Sequence, residues 1–296
     1  MRALTLDADG PVHVADHGGD GPPMVLVHGL GGSHVNWGAV APRFAETHHV
    51  FAPDLPGFGL TELGDRRTTV AANIAVLERL LEQLAPDGGV VIGNSMGGLL
   101  ALGAAAERPE RFRALVLTDP ALPAPPDHPL RIDAVARSFL LAYLFPWAGT
   151  RRLRRVAQRQ GPESLVRQTL ALCAADVDSL DAELVAAHVE LQRQQSDTLG
   201  WDAAFFSTAR SLVNVLALRR RVVAWIQRVS VPTLLIHGSR DRLISVRSAR
   251  AAAVMRPDWE YCELAGVGHI PMMEAPEVFV DLTNGWLQRA MGSTRR

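Results

Sequence analysis

Residues 89–108 read GVVIGNSMGGLLALGAAAER: an unbroken apolar run, a turn containing Gly93-Asn94-Ser95-Met96-Gly97, then a stretch of small residues. An apolar run without polar alternation is the pattern of a strand buried on both faces. The small residues suit a helix lying close on a sheet and ending before Pro109. Glycine at 93 and 97 permits a turn so tight that a Cβ at either place would meet neighbouring backbone. Such a strand-turn-helix holds Ser95 in a strained conformation at the positive end of the helix, where developing negative charge is favoured. Ser95 is therefore read as a nucleophile, with Gly93, Asn94 and Gly97 building the elbow that presents it.

The rest of the chain fits the sheet this unit needs. Apolar runs at 24–29 (MVLVHG) and 50–55 (VFAPDL) precede it, with a helical pattern at 72–84, and ALVLTDP follows at 114–120. Strands alternating with helices predict an α/β domain with a mostly parallel central sheet flanked by helices. From Ala121 to Val229 the pattern changes to Pro-rich turns and amphipathic stretches such as LVRQTLALCAADV, which predict a helical cap inserted after the sixth core strand. Strand patterns resume at 231–238 (VPTLLIHG) and 259–264 (WEYCEL), and a last helix is expected over about 277–291. The predicted division is a core of residues 1–120 and 230–296 and a cap, or lid, of residues 121–229.

A serine hydroxyl needs a base within hydrogen-bond reach, and of the ten histidines His269 is the best placed. It lies in a Gly-rich loop after the last predicted strand, at the sheet edge where α/β proteins build their sites. The acid that orients it should lie between nucleophile and base in sequence, after another strand, and Asp241 in HGSRD meets both conditions. Asp119, which also ends a predicted strand, ranks behind it as a turn residue before Pro120. The loop His28-Gly29-Leu30-Gly31-Gly32 has enough glycine to turn backbone amides inward, so the N–H groups of Leu30 and Met96 are the expected oxyanion donors. His28 itself is read as structural, holding the backbone of this loop.

Composition removes several other classes. The net charge is −1 and every one of the 30 cationic residues is arginine, so no global field draws the chain to nucleic acid. Two distant cysteines build neither a disulfide framework nor a zinc site, and no H-E-x-x-H, phosphate loop or dinucleotide fingerprint is present. No cofactor or metal is expected. The N-terminus lacks the charged and apolar regions of a secretory signal, which points to the cytoplasm. The apolar run at 138–150 (SFLLAYLFPWAGT) is interrupted by Pro146 and too short to span a bilayer. Beside Arg151, Arg152, Arg154 and Arg155 it could form an acyl-binding lid with a cationic rim touching a membrane surface, or an ordinary amphipathic cover with solvated arginines.

Five motifs in order, HGLGGS, DLPGFG, GNSMGG, HGSRD and GHIPMMEAPEVF, resemble the α/β-hydrolase superfamily in its capped esterase, lipase and C–C hydrolase branch. The resemblance covers about 20–120 and 230–292, not the cap. It implies the α/β-hydrolase fold and hydrolysis of a carboxylic ester of a small molecule with an apolar acyl part, through an acyl-enzyme on Ser95. GNSMGG is also similar to the meta-cleavage-product hydrolases, which cut C–C bonds of dienoic acids, although Ile270 stands where those enzymes usually have tryptophan. Epoxide hydrolases and haloalkane dehalogenases need a carboxylate where Ser95 stands. A non-catalytic ligand sensor on the same fold is the remaining alternative.

Overall fold

The computed structural model describes residues 1–125, 161–196 and 201–292. Its centre is an eight-stranded sheet: β1 (Arg2–Asp7), β2 (Pro11–Gly18), β3 (Pro23–Val27), β4 (His49–Pro53), β5 (Gly89–Asn94), β6 (Phe112–Thr118), β7 (Thr233–Gly238) and β8 (Glu260–Leu264). The spatial order is β1-β2-β4-β3-β5-β6-β7-β8. β2 runs antiparallel to β1 and β4, and every pair from β4 to β8 is parallel. This is the expected mostly parallel sheet, with two additional strands at its N-terminal edge.

The buried runs divide by the pleat, because successive side chains point to opposite faces. Val25, Val27, Val91, Leu115, Leu117 and Leu235 face one side, where they pack with the helices Val70–Leu84, Met96–Glu107, Arg219–Arg228 and Val246–Met255. Met24, Leu26, Val90, Ile92, Val116, Leu234 and Ile236 face the other, covered by Trp37, Phe44, Phe279 and Trp286. The uniformly apolar strands of the sequence are thus strands covered on both faces.

The helix Met96–Glu107 shows why its sequence is small. Eleven of its twelve residues, Met96 to Ala106, are buried, and a Cβ on Gly103 would lie 2.7 Å from Ile74 Cδ1. At its start the fit is tighter still. A Cβ on Gly97 would lie 2.2 Å from the Val27 carbonyl oxygen, and one on Gly93 would lie 2.5 Å from that of Gly97. These atoms are backbone and cannot move aside, so Gly97→Ala is expected to destabilise the protein by about 3 kcal/mol or to prevent folding. A urea midpoint within experimental error of the wild type would overturn that expectation.

Between β6 and β7 the described residues are helical and contain no strand. Residues 161–173 form a helix, followed by Ala182–Ser196, Trp201–Ala217 and Arg219–Arg228. The stretch SLVNVLALRRRVVAWIQRV (211–229), which reads in sequence as one amphipathic pattern, falls in two helices separated at Leu218. Phe205 reaches the glycine loop 28–32, 3.2 Å from where a Cβ on Gly31 would stand. The apolar stretch 138–150 and the arginines at 151–155 lie outside the described residues. Among those described, no helix is long and apolar enough to cross a membrane.

Candidate active site

Ser95 sits between β5 and the helix Met96–Glu107 at φ 55° and ψ −117°. An L-residue adopts that region only when its surroundings enforce it. Here the Ser95 N–H donates to the Thr118 carbonyl at 3.0 Å, while its own carbonyl accepts from Leu99 N at 3.1 Å and Ala121 N at 2.9 Å. β6 and the new helix thus pin the strained residue on both sides.

The structure brings His269 and Asp241 together. His269 Nδ1 donates to Asp241 Oδ2 at 2.7 Å, with the imidazole 5% and the carboxylate 0% exposed. The other oxygen of Asp241 accepts from Leu243 N at 2.8 Å and Ile244 N at 2.9 Å, so the carboxylate cannot rotate without losing two bonds. Burial alone would raise its pKa, but the imidazoles of His269 and His237 outweigh burial and hold it well below the usual carboxylate range.

Among the described residues no hydrogen bond joins Ser95 Oγ to His269, and the two are linked instead through Asn94. Its amide donates to the His269 carbonyl at 3.0 Å and to the Thr118 carbonyl at 3.3 Å. Catalytic hydrogen bonds often close only once substrate is bound. A Cβ on Gly29 would lie 3.1 Å from Ser95 Cβ, so the glycine loop runs directly beside Ser95. The Met96 N–H opens its helix, where amides lack intrahelical acceptors. The Leu30 N–H makes no backbone hydrogen bond among the described residues.

His28 is structural, as expected: Nδ1 bonds the Gly29 carbonyl at 2.8 Å and Nε2 accepts from Leu55 N at 3.0 Å. Complete burial lowers its pKa and keeps it neutral. This one ring ties the glycine loop to the loop after β4.

Sequence reasoning missed three supports. Glu274, five residues after His269, accepts from Gly268 N (3.0 Å), Ile270 N (3.3 Å) and Ala175 N (2.7 Å), and His269 N donates to the Cys173 carbonyl at 2.8 Å. The loop carrying His269 is thereby clamped to the helical excursion. His237, at the end of β7, stands 3.3 Å from Asp241 Oδ2. The four-residue spacing of His237 and Asp241 was the available signal.

The third support is Asp54 of DLPGFG, fully buried, which accepts from His34 N (2.7 Å), His34 Nδ1 (2.8 Å), His13 Nδ1 (3.0 Å) and Leu60 N (2.8 Å). These side chains come close enough to share a metal ion, but the carboxylate is already committed to N–H donors. Burial would raise the Asp54 pKa, and the two imidazoles reverse that to hold it far below the usual range.

A carboxylate depressed in the folded state adds stability above its unfolded pKa of about 4 and loses it as pH falls further. Melting temperature should therefore drop steeply below about pH 4. Asp54→Asn, which turns an NH2 toward N–H donors, should cost about 3 kcal/mol at neutral pH and flatten the acid limb. An unchanged limb in thermal melts from pH 7 to 3 would assign the acid sensitivity to other groups.

Known proteins agree with this architecture. The chain is 28% identical over 285 residues to 2-hydroxy-6-oxo-6-(2'-aminophenyl)hexa-2,4-dienoic acid hydrolase of Metapseudomonas resinovorans, covering 94% of this chain and 88% of that one. It is 27% identical over 273 residues to a pimeloyl-[acyl-carrier protein] methyl ester esterase of Yersinia enterocolitica, covering 90% and 93%. The crystal structure of Cfl2 from Burkholderia cenocepacia superposes with a TM-score of 0.78 at 21% identity, covering 96% of this chain and 95% of that one. The profile of the alpha/beta hydrolase fold matches residues 22–276, and the chain belongs to that family of hydrolases.

Proposed function

We propose that the protein is a serine hydrolase that cleaves a carboxylic ester of a small molecule with an apolar acyl part. Ser95 attacks the carbonyl, and His269 accepts the proton and returns it to the leaving group. Asp241 holds the imidazole in the tautomer that leaves Nε2 free to accept. The N–H groups of Leu30 and Met96 stabilise the oxyanion, and water then releases the acyl-enzyme. The observation that carries this reading is the buried 2.7 Å contact between His269 and Asp241, tied through Asn94 to a serine in a strained elbow. No step requires a cofactor.

The excursion between β6 and β7 would act as the lid over this site. The helix Arg219–Arg228 buries Val222, Trp225 and Ile226 in the same apolar layer as the elbow helix, which favours a lid ending before it rather than at residue 229. The second reading is C–C bond hydrolysis, favoured by similarity to a dienoic acid hydrolase over 94% of the chain.

Steady-state turnover of p-nitrophenyl esters of increasing acyl length, beside a dienoic C–C substrate, separates the two. Ester turnover that disappears in Ser95→Ala supports the proposal. Cleavage of the C–C substrate alone would replace it with the second reading, and turnover of neither would leave a ligand sensor.

A further inference from the structure

Behind the acid of the proposed triad lies a second carboxyl that the mechanism does not use. Asp119 follows β6 at φ 44°, a conformation non-glycine residues seldom take, and it is fully buried. One carboxyl oxygen each from Asp119 and Asp241 and a ring nitrogen of His237 lie within 4.8 Å of one another. Asp119 Oδ1 accepts from Gly238 N at 2.8 Å, which locks the end of β6 to β7. Its Oδ2 is buried and, as a bare carboxylate, has no hydrogen-bond partner among the described residues.

The groups around this oxygen decide its state. The Asp241 carboxylate is shielded from solvent and bears the charge that pairs with His269. His237 Nε2 donates to the Ile244 carbonyl at 3.0 Å and stands 3.6 Å from Asp119 Oδ1. Glu274 adds a further negative charge from the base loop. The nearby Cys173 thiol is pushed up to about 12, first by burial and then by the charges of Asp241 and Glu274, so it stays neutral. Two ionised carboxylates side by side in so dry a space repel strongly, and an unpartnered buried carboxylate oxygen is costly in itself. One proton removes both problems.

We propose that Asp119 is a positioning residue that carries a proton on Oδ2 and donates it as a hydrogen bond to the carboxylate of Asp241. The proposal rests on the reading of Asp241 as the orienting acid. It makes Asp241 the acceptor of four donors: Leu243 N, Ile244 N, His269 Nδ1 and the Asp119 O–H. The electrostatics run the same way, since burial and then the charge of Asp241 raise the Asp119 pKa well above the carboxylate range. The proton belongs on Asp119 rather than Asp241 because only Asp241 faces the His269 ring at hydrogen-bond distance. Asp119 thereby pins the acid, and through it the imidazole, without touching substrate.

Two measurements test this. Infrared difference spectroscopy of the intact protein at neutral pH, in H2O and D2O, should show the C=O stretch of one buried neutral carboxylic acid that disappears in Asp119→Asn. That readout needs no turnover, so its failure is separate from failure of the esterase reading, which Ser95→Ala decides. In ester hydrolysis, Asp119→Asn keeps a donor toward Asp241 and an acceptor for Gly238 N. It should retain kcat within about threefold with the pH profile unchanged, whereas Asp119→Ala should lower kcat by about tenfold or more with KM little altered.

Absence of the acid band, or an asparagine variant as impaired as the alanine one, would overturn the proposal. So would an alanine variant with wild-type kcat. If the alanine variant does not fold, the band and the asparagine variant still decide between a protonated and an ionised Asp119.

Discussion

Replacing Ser95 by alanine is expected to lower kcat, on whichever ester the wild type turns over, by about 10⁴-fold or more. Fold and melting temperature should not change. The hydroxyl makes no hydrogen bond among the described residues, whereas the backbone bonds to Thr118, Leu99 and Ala121 that hold the elbow persist in the variant. Alanine takes the positive φ no worse than serine does. The oxyanion amides and the substrate contacts also survive, so residual activity over water should remain and KM should move little. A folded variant retaining a tenth of wild-type kcat would remove Ser95 from the chemistry.

Asp241→Asn should lower kcat by about 10⁴-fold, close to the loss at the nucleophile although the residue never touches substrate. Its direction follows from the hydrogen bonds. Leu243 N and Ile244 N both donate to Oδ1, so the oxygen of an asparagine amide takes that place and its NH2 faces His269 Nδ1. Nδ1 must then accept, which puts the ring proton on Nε2, the atom that has to take the proton of Ser95. The imidazole is correctly placed but in the wrong tautomer. Comparison of kcat in the folded variant with that of Asp241→Ala checks this: alanine leaves the tautomer unforced, so asparagine should be at least as impaired. An asparagine variant of near wild-type activity would show that another acid orients the ring.

Much of this site is legible in the sequence, for reasons tied to particular residues. The glycines at 93 and 97 announce a turn in which backbone approaches backbone, and the structure supplies the carbonyls they avoid, those of Gly97 and Val27. The positions of the buried strands followed from their apolar runs, with ends displaced by up to two residues. The single amphipathic pattern over 211–229 did not reveal the break at Leu218 between two helices, because both helices carry the same periodicity and pack on the same apolar layer.

What the amino-acid order determined by itself was local: the elbow, the strand ends that carry Asp241 and His269, the glycine loop, and the α/β alternation that brings those ends to one edge. What only the tertiary structure decided was which polar groups share a buried space. Asp119 read as a turn residue before a proline until β6 and β7 paired and set it beside Asp241 and His237. His13, His34 and Asp54 come from three segments and meet because β2 lies against β4. Glu274 clamps the base loop to Ala175, a residue 99 positions away in the chain. Periodicity and turn chemistry report on neighbours within a few residues, whereas the charge state of a buried carboxyl depends on whatever the folded chain places around it.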